Sequence, residues 1–279
     1  MSPLFLNTIF PLIVGVLYVA ATWTLNRATN TDSVKERNAA LGIMAVAVLV
    51  HTLLQYQAWI GQPFDHVKVA AVLSLCSLVL VLLWITTLPR KDAVLESGLI
   101  AMPIAALANF LVAIFPPGMP AEGSTLGQAP AGTIVHVASS VISFGLLSLA
   151  GVYAILVLAI DHSLKKRKLS RLVQSLPPLD KLETLLFQVI QTGFILLTIA
   201  LVSGLIYVDN LMAQHLVHKT VLSILAWVVF GALILGRWLK GWRGAIAVRL
   251  TLAGIGLLLL SYFGTRLVLE LILGRSWYS

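Results

Sequence analysis

Six histidines and a single cysteine carry the metal-binding capacity of this 279-residue chain. One thiol, Cys76, excludes an internal disulfide, a Cys-x-x-Cys redox pair and a cysteine-based zinc site. Thiol chemistry in any pathway it serves therefore belongs to a partner. His51 stands in an otherwise apolar run with Gln55 one helical turn further on. An imidazole there requires a hydrogen-bond partner or a metal ion. His66 beside Asp65 reads as a solvated loop residue, and His162, close to several lysines, as a surface residue. His215 and His218 stand at i, i+3 on one helical face, a spacing that suits one metal ion or an interfacial polar pair. Two imidazoles from separate helices, at matched depth across a flat apolar slot, can hold the iron of a porphyrin. His136 and His218 are the pair that suits this chemistry, with His51 as a deeper reserve. Trp227, Phe230, Trp59, Phe144 and Tyr207 offer rings for such a slot or for ordinary packing. Arg266, with Glu270 at i, i+4, forms either an intrahelical ion pair or a fork for a propionate or other carboxylate. No constellation of nucleophile, base and acid is visible, so the expectation is a protein that is not an enzyme.

These side chains must be positioned by elements that live in lipid. The hydrophobic share is 59% and charged residues are only 11%. With a mean hydropathy of +0.96, no soluble or disordered surface can be made from this composition. The fold class is all-α, a polytopic membrane helical bundle of about eight transmembrane helices. Charge-free stretches mark the spans at 1–26, 38–64, 69–89, 97–121, 123–160, 184–208, 220–236 and 250–265. The fifth helix is expected to begin near Ala131, after a Gly/Pro-rich loop, and the eighth to continue through Arg266 to about Leu273.

Fifteen of the 19 Lys+Arg fall in one alternate set of loops, which places both termini outside. The net charge of +8 is thus a topology signal: the partner is membrane lipid, and there is no nucleic acid. The first segment has no basic residue before it and reads as an uncleaved span. The inner loop from Asp161 to Lys181 suits a basic amphipathic helix on the membrane surface. His51, His66, His136, His215 and His218 then lie in the outer half or beyond, and His162 inside. No paired Gly/Pro-interrupted spans suggest the inverted repeats of a transporter.

The segment from His136 to Gly145, running into a long helix and a basic loop, resembles a span of cytochrome c assembly proteins of the CcsA/CcmC type, one that opens with an external haem-ligand histidine. The run from His218 to Trp227, then Arg237, Gly241-Trp242-Arg243-Gly244 and Ser261-Tyr262-Phe263-Gly264, is similar to the final third of that family. The tryptophan-rich WWD segment is missing, and Gly274-Arg275-Ser276-Trp277 replaces a second external histidine near the end of span eight. This pattern resembles the short HemX/YpjD-like branch. His218 stands where WWD-bearing members have proline, which makes it a candidate for a replacement ligand.

The expectation is therefore one integral membrane domain over residues 1–279, with N-terminal spans in 1–121 and an assembly-like core at about 130–279. The resemblance implies a multi-pass protein of the bacterial inner (cytoplasmic) membrane that binds or handles haem in cytochrome c assembly. Its partners would be other membrane proteins of cytochrome c or tetrapyrrole pathways. The alternative is a haem-free scaffold or regulator of tetrapyrrole synthesis or of a partner membrane protein.

Overall fold

The computed structural model describes residues 8–60, 69–88, 95–115, 130–167, 171–207 and 214–264. Its α-helices are α1 (Phe10–Thr31), α2 (Val34–Ile60), α3 (Val69–Thr87), α4 (Gly98–Ile114), α5 (Ala131–Lys165), α6 (Arg171–Ser175), α7 (Leu179–Tyr207), α8 (Gln214–Lys240) and α9 (Ala245–Leu259). A 3₁₀ turn, Leu95–Ser97, leads into α4, and α9 runs on into a π-helical turn, Leu260–Gly264. No strand occurs among the described residues. Lipid offers no hydrogen bonds, so apolar backbone satisfies its own polar groups within each helix. Among the described residues seven segments are long and apolar enough to cross a membrane, and the chain is a polytopic helical membrane protein. To these α1 adds 22 residues, ~33 Å of helix at 1.5 Å per residue. The expected extension of the last span to Leu273 lies outside the described residues.

Local chemistry sets the helix ends. Pro11 occupies the first turn of α1, where its missing N–H costs nothing. That helix stops at Asp32, whose φ of 51° is left-handed. Ser33 and Glu36 have the spacing of a capping box, and the Glu36 N–H donates to Ser33 Oγ at 3.3 Å. Glu36 also pairs with Arg27 at 3.1 Å, so the charged turn between α1 and α2 closes on itself. The α5 helix runs past the expected end at Ile160, through an Asp161–Lys165 ion pair at i, i+4.

The chain forms two compact units. Unit 1 comprises residues 1–129 and 159–181, and unit 2 residues 130–158 and 182–279. In unit 1, α1 packs on α2 and α4, α3 packs on α4 and α2, and α6 touches α1. Its core holds Tyr18, Leu25, Leu80, Trp84 and Met102, all fully buried.

In unit 2, α8 packs on α9 and on the π-turn. Glu183, in the first turns of α7, is buried and accepts the Gly244 N–H at 2.7 Å. The carboxylate caps the start of α9, where the helix dipole favours negative charge. Arg243 adds an ion pair to Glu183 at 3.5 Å. Gly244 has φ of +58°, a setting that side chains with a Cβ avoid, so the turn into α9 needs glycine.

The charge partition makes a topology prediction. Reporter fusions at Lys35, Lys91, Lys168 and Lys240 should behave as cytoplasmic, and those at Gly61, Gly123 and Asn210 as external. A cytoplasmic reporter at Gly123 would reverse the orientation and with it the external placement of the histidines.

Candidate functional site

The first part of α5 lies antiparallel against α7 in unit 2, and each step along one helix is matched by a step back along the other. Gly132 faces the ring of Tyr207, and a Cβ on Gly132 would run into it. His136 faces Gly204 and Ala200, and further on Ser143 donates to the Gly193 carbonyl at 2.9 Å. Leu147 fills the space that a Cβ on Gly193 would need. Small residues on α7 thus let α5 approach closely, as helices in lipid do where packing alone must hold them.

His136 is fixed by this seam. Its Nδ1 donates to the Ala200 carbonyl at 2.8 Å. A carbonyl can only accept, so a proton sits on Nδ1, and in the neutral imidazole Nε2 is the nitrogen that carries the lone pair. A Cβ at position 204 would lie 2.9 Å from His136 Cε1 and 3.0 Å from Nδ1, so only glycine leaves room for the imidazole. The ring is part-buried, about two turns into α5. One turn further along α5, Ser140 Oγ is buried with no hydrogen-bond partner among the described residues.

Hydrogen bonds and ring contacts brace the remaining helices of unit 2. Trp227 on α8 donates its Nε1–H to Thr198 Oγ1 on α7 at 2.9 Å and stacks on Phe194. Ser261, in the π-turn, donates to the Lys219 carbonyl at 2.8 Å and meets Ser223 Oγ at 2.7 Å. The first turns of α8 are thereby tied to the end of α9. Phe144 on α5 meets Tyr262 and Phe263 edge-on, with centroids 5.7 and 5.8 Å away. Phe230 is fully buried against Gly254. Of the rings considered for a slot, Trp227, Phe144 and Phe230 are packed in unit 2 and Tyr207 covers Gly132. The side chain of Trp59 lies outside the described residues.

His51 sits elsewhere, in unit 1. It is fully buried, with Tyr18 Oη 3.2 Å from Nδ1 and Ser74 Oγ 2.8 Å from Nε2. His162 is exposed on the last turns of α5. His215 and His218 lie on the first turn and a half of α8, and their side chains are outside the described residues, as are His66, Arg266 and Glu270. Among the described residues no three His, Cys, Asp or Glu side chains gather as a metal cluster. A porphyrin needs no such cluster, because its ring supplies four nitrogens and the protein only axial ligands.

Haem thus fits the residues at His136, and the fit rests on proton placement. Histidines that bind metal donate their other ring N–H to a carbonyl or carboxylate, which fixes the tautomer and raises the ligand's basicity. His136 has this arrangement, with Ala200 as acceptor. His51 does not, since both of its ring nitrogens are engaged. The residues alone mark His136 as a candidate; they do not mark Ala200, which contacts it through its backbone carbonyl, nor Gly204, which leaves it room by lacking a side chain.

The sequence is 37% identical over 233 residues to the inner membrane protein YpjD of Escherichia coli (strain K12), covering 82% of this chain and 86% of that protein. It is 27% identical over 101 residues to the cytochrome c biogenesis protein CcsA of Synechococcus elongatus, covering 36% of this chain and 31% of CcsA. No solved structure matches. Seven apolar helices and the likeness to YpjD make this a multi-pass protein of the inner membrane. The profile of the cytochrome C assembly proteins matches residues 38–273, and the chain belongs to that family.

Proposed function

We propose that the protein is a non-enzymatic haem-binding or haem-handling membrane protein that serves cytochrome c assembly, with His136 as an axial ligand of the iron. The observation that carries this reading is the Nδ1–H of His136 donated to the Ala200 carbonyl, which leaves Nε2 ready to bind a metal. His218 is the second ligand of the proposal, because it lies in the opening turns of α8, whose following turns are held by Ser261 and Trp227. Bound there, haem would supply iron and a planar apolar face. The residues of this chain orient the imidazole and exclude water. CcsA, to which part of the chain is similar, is by name a cytochrome c biogenesis protein, which supports the pathway. Partners in that pathway, other membrane proteins of cytochrome c or tetrapyrrole metabolism, belong to the same proposal.

The missing WWD segment favours a second reading, a haem-free scaffold or regulator. Haem content of the purified protein separates the two. About one haem per chain supports the first, and a colourless preparation supports the second.

Arg266 is proposed to receive a carboxylate such as a propionate. If so, Arg266→Leu weakens haem binding even in the Glu270→Leu background. If it pairs only with Glu270, exchanging both for Leu leaves binding unchanged, because apolar residues can often replace an ion pair at little cost. Wild-type binding by the double variant would remove Arg266 from the site.

A further inference from the structure

The buried cluster around His51 has no part in the site just described, yet among the described residues of unit 1 it joins side chains of four helices by hydrogen bonds. Five side chains from four helices meet there: Tyr18 on α1, His51 and Gln55 on α2, Ser74 on α3 and Asn109 on α4. All five are buried, and His51 and Tyr18 are 0% exposed. The partners lie far apart in sequence, so tertiary packing alone brings them together.

The protons can be placed in order. Gln55 Nε2 donates to Ser74 Oγ at 2.7 Å, and Ser74 Oγ donates to Asn109 Oδ1 at 3.3 Å. Asn109 Nδ2 donates to the Ala105 carbonyl at 2.8 Å. With its own proton spent on Asn109, Ser74 Oγ accepts from His51 Nε2–H at 2.8 Å, the shortest contact of a nitrogen that also has the Gln55 and Asn109 amides at 3.4 Å. Nδ1 then holds the lone pair and accepts from the Tyr18 hydroxyl at 3.2 Å. The chain closes with neither imidazole nitrogen left for iron.

We propose that His51 is the keystone of unit 1, a structural imidazole that sets the rotation and register of α1 to α4 and takes no part in binding iron. The need for such a device follows from the solvent. Lipid tails are as apolar as leucine, so aliphatic surface does not select one rotation of a helix in a bundle. The α3 sequence, Val-Ala-Ala-Val-Leu-Ser-Leu-Cys-Ser-Leu-Val-Leu-Val-Leu-Leu-Trp, is apolar on every side. Turning Ser74 away from His51 would strand two donors of α2 and the Asn109 Oδ1 acceptor of α4 where no water can replace the hydroxyl. A fully satisfied polar network in a low-dielectric core specifies one arrangement, because every alternative leaves a group unpaired.

The one cysteine of the chain makes this testable, since Cys76 is buried on α3 two residues from Ser74. The full-length protein in detergent is heated with a fluorogenic maleimide, and the temperature at which Cys76 reacts reports the loosening of α3. His51→Ala and Ser74→Ala should lower that temperature by several degrees, and Tyr18→Phe by less. Adding Tyr18→Phe to His51→Ala should cost nothing more, because the hydroxyl acts only through the imidazole. Should His51→Ala not accumulate, Tyr18→Phe with Ser74→Ala serves instead, and their combined shift should differ from the sum of the two. Reaction of the His51→Ala protein at the wild-type temperature would overturn the proposal. So would strict additivity, or haem lost from a His51→Ala protein that melts as wild type. The thiol readout needs no haem, so a wild-type protein that binds none would leave it decisive.

Discussion

His136→Ala is expected to remove haem from the purified protein while leaving the chain folded in the membrane. Alanine cannot replace an imidazole on iron. The loss should exceed the ~10–100-fold in affinity that removal of a partner behind a metal ligand typically costs. Haem per chain, read from the absorption bands, measures it. His218→Ala should also abolish or alter the spectrum, and the double variant should look no worse than the more severe single one, as expected of two groups serving one ion. His162→Ala and His51→Ala should keep wild-type bands. An unchanged spectrum in both His136→Ala and His218→Ala, with haem lost from His51→Ala, would move the site to unit 1 and also sink the keystone proposal.

The second large effect is expected at a residue with no functional group. In Gly204→Val the Cβ would need the space held by His136, 2.9 Å from Cε1, and the added methyl groups would need more. An imidazole swings on χ1 more readily than α5 and α7 separate, so the ring leaves and its bond to the Ala200 carbonyl breaks. Haem affinity should fall about 10–100-fold, the range typical of losing the acceptor that orients a metal-binding histidine. The bands of any haem retained should shift. Helix content and expression should stay near wild type, since valine is at home in a membrane helix. Wild-type affinity in Gly204→Val would mean that the contact between His136 and α7 does not matter to the ligand.

The spans were legible because lipid permits few solutions: a charge-free run of about 20 residues has to be a helix. His136 was legible as well, as a lone imidazole at the head of such a run. What fixes it was not, because Ala200 contributes a carbonyl that every residue has and Gly204 contributes an empty space. The same holds for His51. Gln55, one turn away, was visible by its spacing, but Tyr18, Ser74 and Asn109 come from three other helices. Hydroxyls and amides are common in spans, and only packing reveals that these point at one imidazole. Glu183 stands just before the charge-free run that begins at residue 184, and its role as a cap for α9 depends on the left-handed turn at Gly244, which lies 61 residues away. The extension of α5 beyond Ile160 is hidden by the charges of Asp161 and Lys165. They mark the end of the apolar run, while the helix itself continues on their i, i+4 pairing.

Chemical rescue of His136→Gly tests the central claim most directly, because it asks whether an imidazole at this position is what iron requires. The variant is purified with and without added imidazole, and its absorption spectrum is compared with that of the wild type. The account predicts Soret and α/β bands in the wild type, their loss or alteration in the variant, and their return when free imidazole occupies the space left by the side chain. A colourless wild type, or wild-type bands in the variant without imidazole, would contradict it.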